Sequence, residues 1–333
     1  MNKKHMLGAL CALALGSIVM LTGCGKTVEI NDSSIKPVEL VLDYTPNTNH
    51  TGIYAAIEKG YFKDAGFDVS VVQPPEDGAD GLVASGKAQY GVAYQDMMAN
   101  YLGSDNPLPV TAIAAILQHN TSGIMSAKDS NITRPRDIEG HSYATWNMTT
   151  EQAIVKHVVE ADGGDWSKVE LIPANGNDGV SCLKAHEYDC VWEYEGWAVQ
   201  NAKLKDFAYN YFAFKDIDPV LDYYTPVIIV NNDYLANNPE DVAKFKEALA
   251  KGYKFAAENP EEAADILVKQ VPELDHDLVV LSQKYLANEY LDDNGEFGTI
   301  DATRWNNFYK WMNDNKLVEK DIPLNAGLVK EDK

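Results

Sequence analysis

The chain is poor in the residues that carry most covalent and metal chemistry. It has four cysteines in 333 residues and seven histidines. None of them form a CxxC or HxxxH pair, so no spacing suits a zinc ion, and no metal site is expected. Positive charge is scarce as well: 28 Lys and Arg stand against 50 Asp and Glu, a net charge of −22. Such a surface repels nucleic acid and anionic lipid, and no basic patch offsets it. Phosphate and sulfonate ligands are disfavoured for the same reason. There is no phosphate loop, internal repeat or low-complexity tract. Only one apolar run, over 7–21, is long enough to notice, and it is too short for a comfortable membrane span.

That run follows Lys3 and Lys4 and leads into Leu21-Thr22-Gly23-Cys24, the layout of a signal peptide. Small residues ahead of a cysteine resemble the lipobox of bacterial lipoproteins, which implies cleavage before Cys24 and lipidation of its thiol. The expected place is extracytoplasmic, lipid-anchored to the outer face of a bacterial cell membrane, with 1–23 as leader and 24–36 as a polar tether. Loss of the leader removes two lysines and no acid, taking the net charge to −24 over about 310 residues. That length exceeds what one core usually serves, so two lobes are expected. Cys182 and Cys190 remain, either as a disulfide or as two buried thiols.

The rest is organised around LVLDYTPNTNHTGIYAAIEKG, residues 40–60. A strand over 38–42 breaks at a polar turn, where Pro46 forbids a ladder and Thr and Asn favour a helix start. Apolar residues then recur at helical spacing. A strand end running into a helix N-terminus is where open α/β sheets bind ligands. The alternation repeats through strands over 67–72, 89–93 and 110–117, then 123–126, 142–146, 169–172, 189–192, 208–214 and 226–231. Helices over 77–85, 96–102, 149–161 and 179–185 lie between them. Thr149-Thr150-Glu151-Gln152 suits a capped helix start. Beyond 232 the chain reads as helices over 239–259, 260–271, 275–290 and 303–315, with Pro239 and Pro260 at first-turn positions. Two α/β sets joined near 118–122 and 219–226 predict a cleft between lobes as the ligand site.

Candidate ligand contacts sit at strand ends. Tyr44, Asn47 and Asn49 belong to the first turn, where both asparagines suit turn formation and Asn49 is either a cap or a ligand contact; Tyr94 and Gln95 follow the third strand. Trp146, with Asn147, ends a strand of the second set. Gln118, His119 and Asn120 lie at the outward crossing, Asn120 being the preferred contact, and Tyr223 and Tyr224 lie at the return. Glu193 and Glu195 follow Trp192; continued alternation puts both on one face with Trp197 and leaves Tyr194 on the other. Core packing is the competing explanation for each Tyr and Trp, and a solvated surface is the usual fate of Glu.

With these segments placed, the chain resembles the substrate-binding proteins of ABC transporters of the thiamin-pyrimidine-precursor type. The resemblance runs from about 38 to 259 and weakens beyond. LVASGKAQYGVAY, GIMSAKDSNI and RDIEG also carry it; GYF and SGKAQYGV are shared with the wider family, which includes alkanesulfonate and nitrate binders, whereas DYTPNTNHTG and WEYEGW resemble members binding hydroxymethylpyrimidine or its formylaminopyrimidine relative. The resemblance implies an α/β, two-lobe periplasmic-binding-protein-like fold (type II), each lobe a mostly parallel sheet flanked by helices, with a helical C-terminal tail. Lobe 1 would be 37–120 and 225–333, lobe 2 121–224. It implies a monomer without cofactor, delivering a small aromatic ligand to an ABC permease, with Glu195 as the principal carboxylate and Tyr44 as a stacking ring.

Alternatives are another aromatic heterocycle (a flavin or nucleobase), an alkanesulfonate, or a pyrimidine-modifying enzyme in which Glu193 and Glu195 act as an acid/base pair. The same fold hosts a fungal enzyme that builds this pyrimidine from its pyridoxal phosphate and a histidine. Its lysine and histidine positions fall on Ala93 and Met97, and its Cys-rich loop on Asp222-Tyr223-Tyr224, so the resemblance implies no enzyme here.

Overall fold

The computed structural model describes residues 35–75, 78–174, 176 and 178–329; the leader, Cys24 and most of the tether lie outside the described residues. Among the described residues ten strands build two sheets. The first contains β1 (Lys36–Val41), β2 (Phe67–Val72), β3 (Tyr90–Ala93), β4 (Val110–Ala115) and β10 (Val227–Asn231) in the order β2-β1-β3-β10-β4. The second contains β5 (Ser122–Ala127), β6 (Ser142–Thr145), β7 (Glu170–Pro173), β8 (Cys190–Tyr194) and β9 (Tyr209–Ala213) in the order β7-β6-β8-β5-β9. In each sheet three neighbouring strands are parallel, while the fourth runs antiparallel. That antiparallel strand is the first one laid down after the chain crosses from the other lobe.

Strands covered on both faces read as unbroken apolar runs, and β4, β5 and β10 are buried along their whole length. Helices Pro239–Glu258 and Thr51–Glu58 flank the first sheet and meet backbone to backbone. A Cβ on Gly252 would stand 2.1 Å from the Gly52 carbonyl, so only glycine allows this approach. Between helix and sheet the Tyr90 ring stacks on Phe245 at 3.6 Å. Pro239 and Pro260 open their helices, where a missing N–H costs nothing. The helical C-terminal region continues with His276–Leu286 and Ala302–Asp314.

One expectation changes at the local level, and one open alternative is decided. Helix Thr149–Ala161 starts without a side-chain cap, because Met148 stands at the N-cap and has no side-chain oxygen to accept there; Glu151 turns inward and accepts from the Tyr143 and Thr145 hydroxyls. Cys182 and Cys190 are both buried free thiols, not a disulfide, and burial pushes both thiols up.

The crossings, 116–121 and 214–226, are tied to each other. Asn120 donates its amide to the Leu221 carbonyl at 2.8 Å, and its main-chain N–H to Asp222 at 2.9 Å. Asp222 also holds His119 at 2.7 Å and Arg304 at 3.0 Å. Arg304 caps the Tyr224 ring at 3.8 Å and reaches the Gln118 carbonyl at 2.5 Å. These pairings hold the Asp222 carboxyl below its ordinary value against the opposing effect of burial.

Candidate ligand-binding cleft

Between the sheets lies a cavity of about 660 Å³. Its first wall is the turn after β1. The ladder stops at Leu42, whose N–H reaches the Val72 carbonyl at 2.9 Å. Asn47 then caps the short turn Thr48–His50. The Asn47 N–H donates to His50 Nδ1 at 3.1 Å, which assigns the ring proton to Nε2; that proton goes to Asp43 at 2.6 Å. The second Asp43 oxygen accepts from the Tyr94 hydroxyl. Burial opposes the Asp43 charge, yet His50 and the hydrogen bonds outweigh it and keep the carboxyl below its usual range. Tyr290 and Tyr253 donate to the Thr48 and Asn49 carbonyls, each at 2.7 Å. The turn is therefore fixed from beneath, and Tyr44 projects from it, 62% exposed, at the cavity.

The second element of this lobe is the end of β3. Tyr94 is the residue before helix Gln95–Leu102, and Asp96 and Met97 of its first turn line the cavity. Burial raises the Asp96 carboxyl to about 6, against its own main-chain amide and that of Met97.

The opposite wall comes from β6 and β8. Trp146, 41% exposed, leans on Trp192 at 5.5 Å, and Trp192 on Phe214 at 4.4 Å. Glu193, the penultimate residue of β8, has its carboxyl against Gly179, where a Cβ would lie 2.0 Å from Oε1. Burial, with the Asp178 charge adding, raises Glu193 to about 8. The Tyr194 phenol is raised by burial and then by the charges of Asp96, Asp43 and Glu193, which places it among carboxyls of both lobes.

Of the residues singled out from sequence, Tyr44, Asn49, Tyr94, Trp146, Glu193 and Trp197 line this cavity. Glu195 does not. Extended backbone ends at Tyr194, and a π-type turn over Glu195–Val199 breaks the assumed alternation, swinging the Glu195 carboxylate to the Tyr285 hydroxyl at 2.9 Å. Gln95, Asn120, Tyr223 and Tyr224 also lie outside the lining. Gln95 clamps Tyr224 N–H and the Trp305 carbonyl, at 2.8 and 3.0 Å. Tyr223 is buried against Phe308, their rings 4.1 Å apart. Sequence reasoning passed over Asp96, Glu151 and Tyr194 as lining residues; Asp96 and Tyr194 each sit one position from a residue it chose. The charged side chains of the lining are Asp96, Glu151 and Glu193, with no Lys, Arg or His among the lining residues.

Two sheets of this order facing each other across a cleft are the architecture of periplasmic binding proteins. The crystal structure of the aliphatic sulphonate binding protein SsuA from Escherichia coli shares the fold, with a TM-score of 0.69 at 11% identity over 90% of this chain and 94% of that one. The chain belongs to the NMT1/THI5-like family, whose model matches residues 47–263. It is similar to the formylaminopyrimidine-binding protein of Halalkalibacterium halodurans, 28% identical over 92% of this chain and 93% of that one. It is also similar to the 4-amino-5-hydroxymethyl-2-methylpyrimidine phosphate synthase THI11 of Saccharomyces cerevisiae, 24% identical over 74% of each.

Proposed function

We propose that the chain is the extracytoplasmic substrate-binding protein of an ABC importer, anchored by lipid at Cys24, that closes its lobes over a thiamin-type aminopyrimidine for delivery to a permease. One observation carries this reading: every charged group of the lining is a carboxyl, set among the rings of Tyr44, Tyr94, Trp146 and Trp197. A flat amine-bearing ring suits such a site, stacking on aromatic faces and donating to carboxyl oxygens. Tyr94 commits its proton to Asp43, so its oxygen is left to accept as well.

Glu193 is the anchor in this reading. Protonated at neutral pH, its carboxyl presents an O–H donor and a carbonyl acceptor side by side. An aminopyrimidine edge offers the complement, a ring nitrogen and an exocyclic amine, so two parallel hydrogen bonds form without burying a net charge. A sulfonate would meet three carboxyls and no cation. The synthase reading fails on residues: Ala93 is buried at the end of β3 and Met97 stands in the cavity wall, so neither position offers an amine or an imidazole. Calorimetric titration with hydroxymethylpyrimidine and formylaminopyrimidine tests the assignment. Binding of at least one is expected; no heat and no thermal shift with both rules it out.

A further inference from the structure

Helix His276–Leu286 belongs to the first lobe by its packing. It lies along helix Pro260–Gln270, and Gln283 donates to the Ala256 carbonyl at 3.0 Å. Its opposite face carries Ser282, Tyr285 and Leu286, the i, i+3 and i+4 positions of one helical face. All three touch the turn that follows β8 in the second lobe. The Ser282 hydroxyl donates to the Gly196 carbonyl and accepts from the Thr48 hydroxyl at 2.5 Å. The Tyr285 hydroxyl donates to Glu195 at 2.9 Å. Leu286 closes over Gly196 so tightly that a Cβ there would lie 2.7 Å from its methyl.

We propose that this helix is a latch between the lobes: docking of the 195–197 turn on Ser282, Tyr285 and Leu286 sets the interlobe angle, beyond what the two covalent crossings impose. Ser282 is fully buried. Opening the cleft at this edge therefore strips its hydroxyl of an acceptor in a place water does not reach. Thr48 and Gly196 both line the cavity, so the Thr48–Ser282–Gly196 chain joins one wall to the other through a single side chain outside it. Glu195 thereby acquires a role distinct from ligand contact, as the acceptor that holds the second lobe to Tyr285.

The latch is tested without any ligand, and so independently of the assigned pyrimidine. Spin labels at Asp68→Cys on β2 and Lys184→Cys after β7 report the interlobe distance by electron double resonance. The unmodified latch is expected to give one narrow distribution. Ser282→Ala with Tyr285→Phe is expected to shift or broaden it beyond the original width and to raise the radius of gyration in solution scattering. Gly196→Ala, which wedges a methyl against Leu286, moves both readouts the same way and serves if the double variant fails to fold. Folded variants with unchanged distances and scattering overturn the proposal, even where their melting temperature falls, because lost packing alone does not change the angle.

Discussion

The two lobes share one strand order but treat their polar groups differently. In the first, the turn after β1 uses nearly everything it has: Asp43, Asn47 and His50 are hydrogen-bonded within the turn, and the Thr48 hydroxyl to Ser282 of helix His276–Leu286. In the second, the end of β8 leaves Glu193 in the cavity, poorly hydrated and with its pKa raised to about 8. Trp146 stands half out of the wall beside it. One lobe is a finished surface, and the other keeps unfilled hydrogen-bonding capacity. Rigidity and recognition are thus divided between copies of one architecture, which lets the second change specificity without disturbing the first.

The contrast breaks most severely at Asp43. Asp43→Ala leaves His50 Nε2–H and the Tyr94 hydroxyl without their buried acceptor, an expected loss of about 3 kcal/mol in thermal or denaturant unfolding. Glu193→Ala strands no comparable pair of buried donors and removes a carboxyl that burial disfavours, so no loss of that size is expected.

A pH series sharpens the difference between the two acids. Glu193 has its folded pKa raised above the unfolded value, so the folded state holds the extra proton and stability falls as pH rises from about 5 to 8. The expected fall is about 3 kcal/mol, and Glu193→Gln should flatten it. Asp43 is shifted the other way, so its contribution is present above the ordinary carboxylate range and lost only in acid. Parallel melting curves for wild type and Glu193→Gln across pH 5–8 would contradict this.

Binding gives the next largest effect. Glu193→Ala should weaken pyrimidine affinity about tenfold, near 1.4 kcal/mol. Glu193→Gln, whose amide imitates the protonated acid, should bind nearly as wild type at neutral pH and lose the weakening expected above pH 8. Equal losses for Ala and Gln would show that the carboxyl acts ionised. Smallest is Trp146→Ala, expected to cost about 1 kcal/mol in calorimetric affinity through lost stacking, with Leu171→Ala as an exposed control outside the cavity.

The fold was largely legible because its signals are local and redundant: apolar runs for buried strands, helical spacing between them, prolines at helix starts. The cleft was legible only to the level of which strand ends face it. Gln95 and Asp96 are neighbours in one helical turn, yet Gln95 points into a clamp on Trp305 and Tyr224 while Asp96 faces the cavity. Position after a strand does not decide between them; the rotation of the helix does. Glu195 was misplaced for a related reason, since the switch from period two to a π-type turn falls immediately before it. Tyr223 and Tyr224 look like binding aromatics in composition, and only tertiary packing reveals them as filling beneath the crossings.

The strand order also bears on how the molecule is made. β10 lies between β3 and β4, so the earlier sheet has an open slot until residues 227–231 arrive, more than a hundred positions after its neighbours. A nascent chain that has emerged only as far as β9 owns every strand of the later sheet and an unfinished version of the earlier one. Completion of the N-terminal sheet is thereby postponed until more than two thirds of the chain has been made, and the helices Pro239–Glu258 and Pro260–Gln270 follow later still.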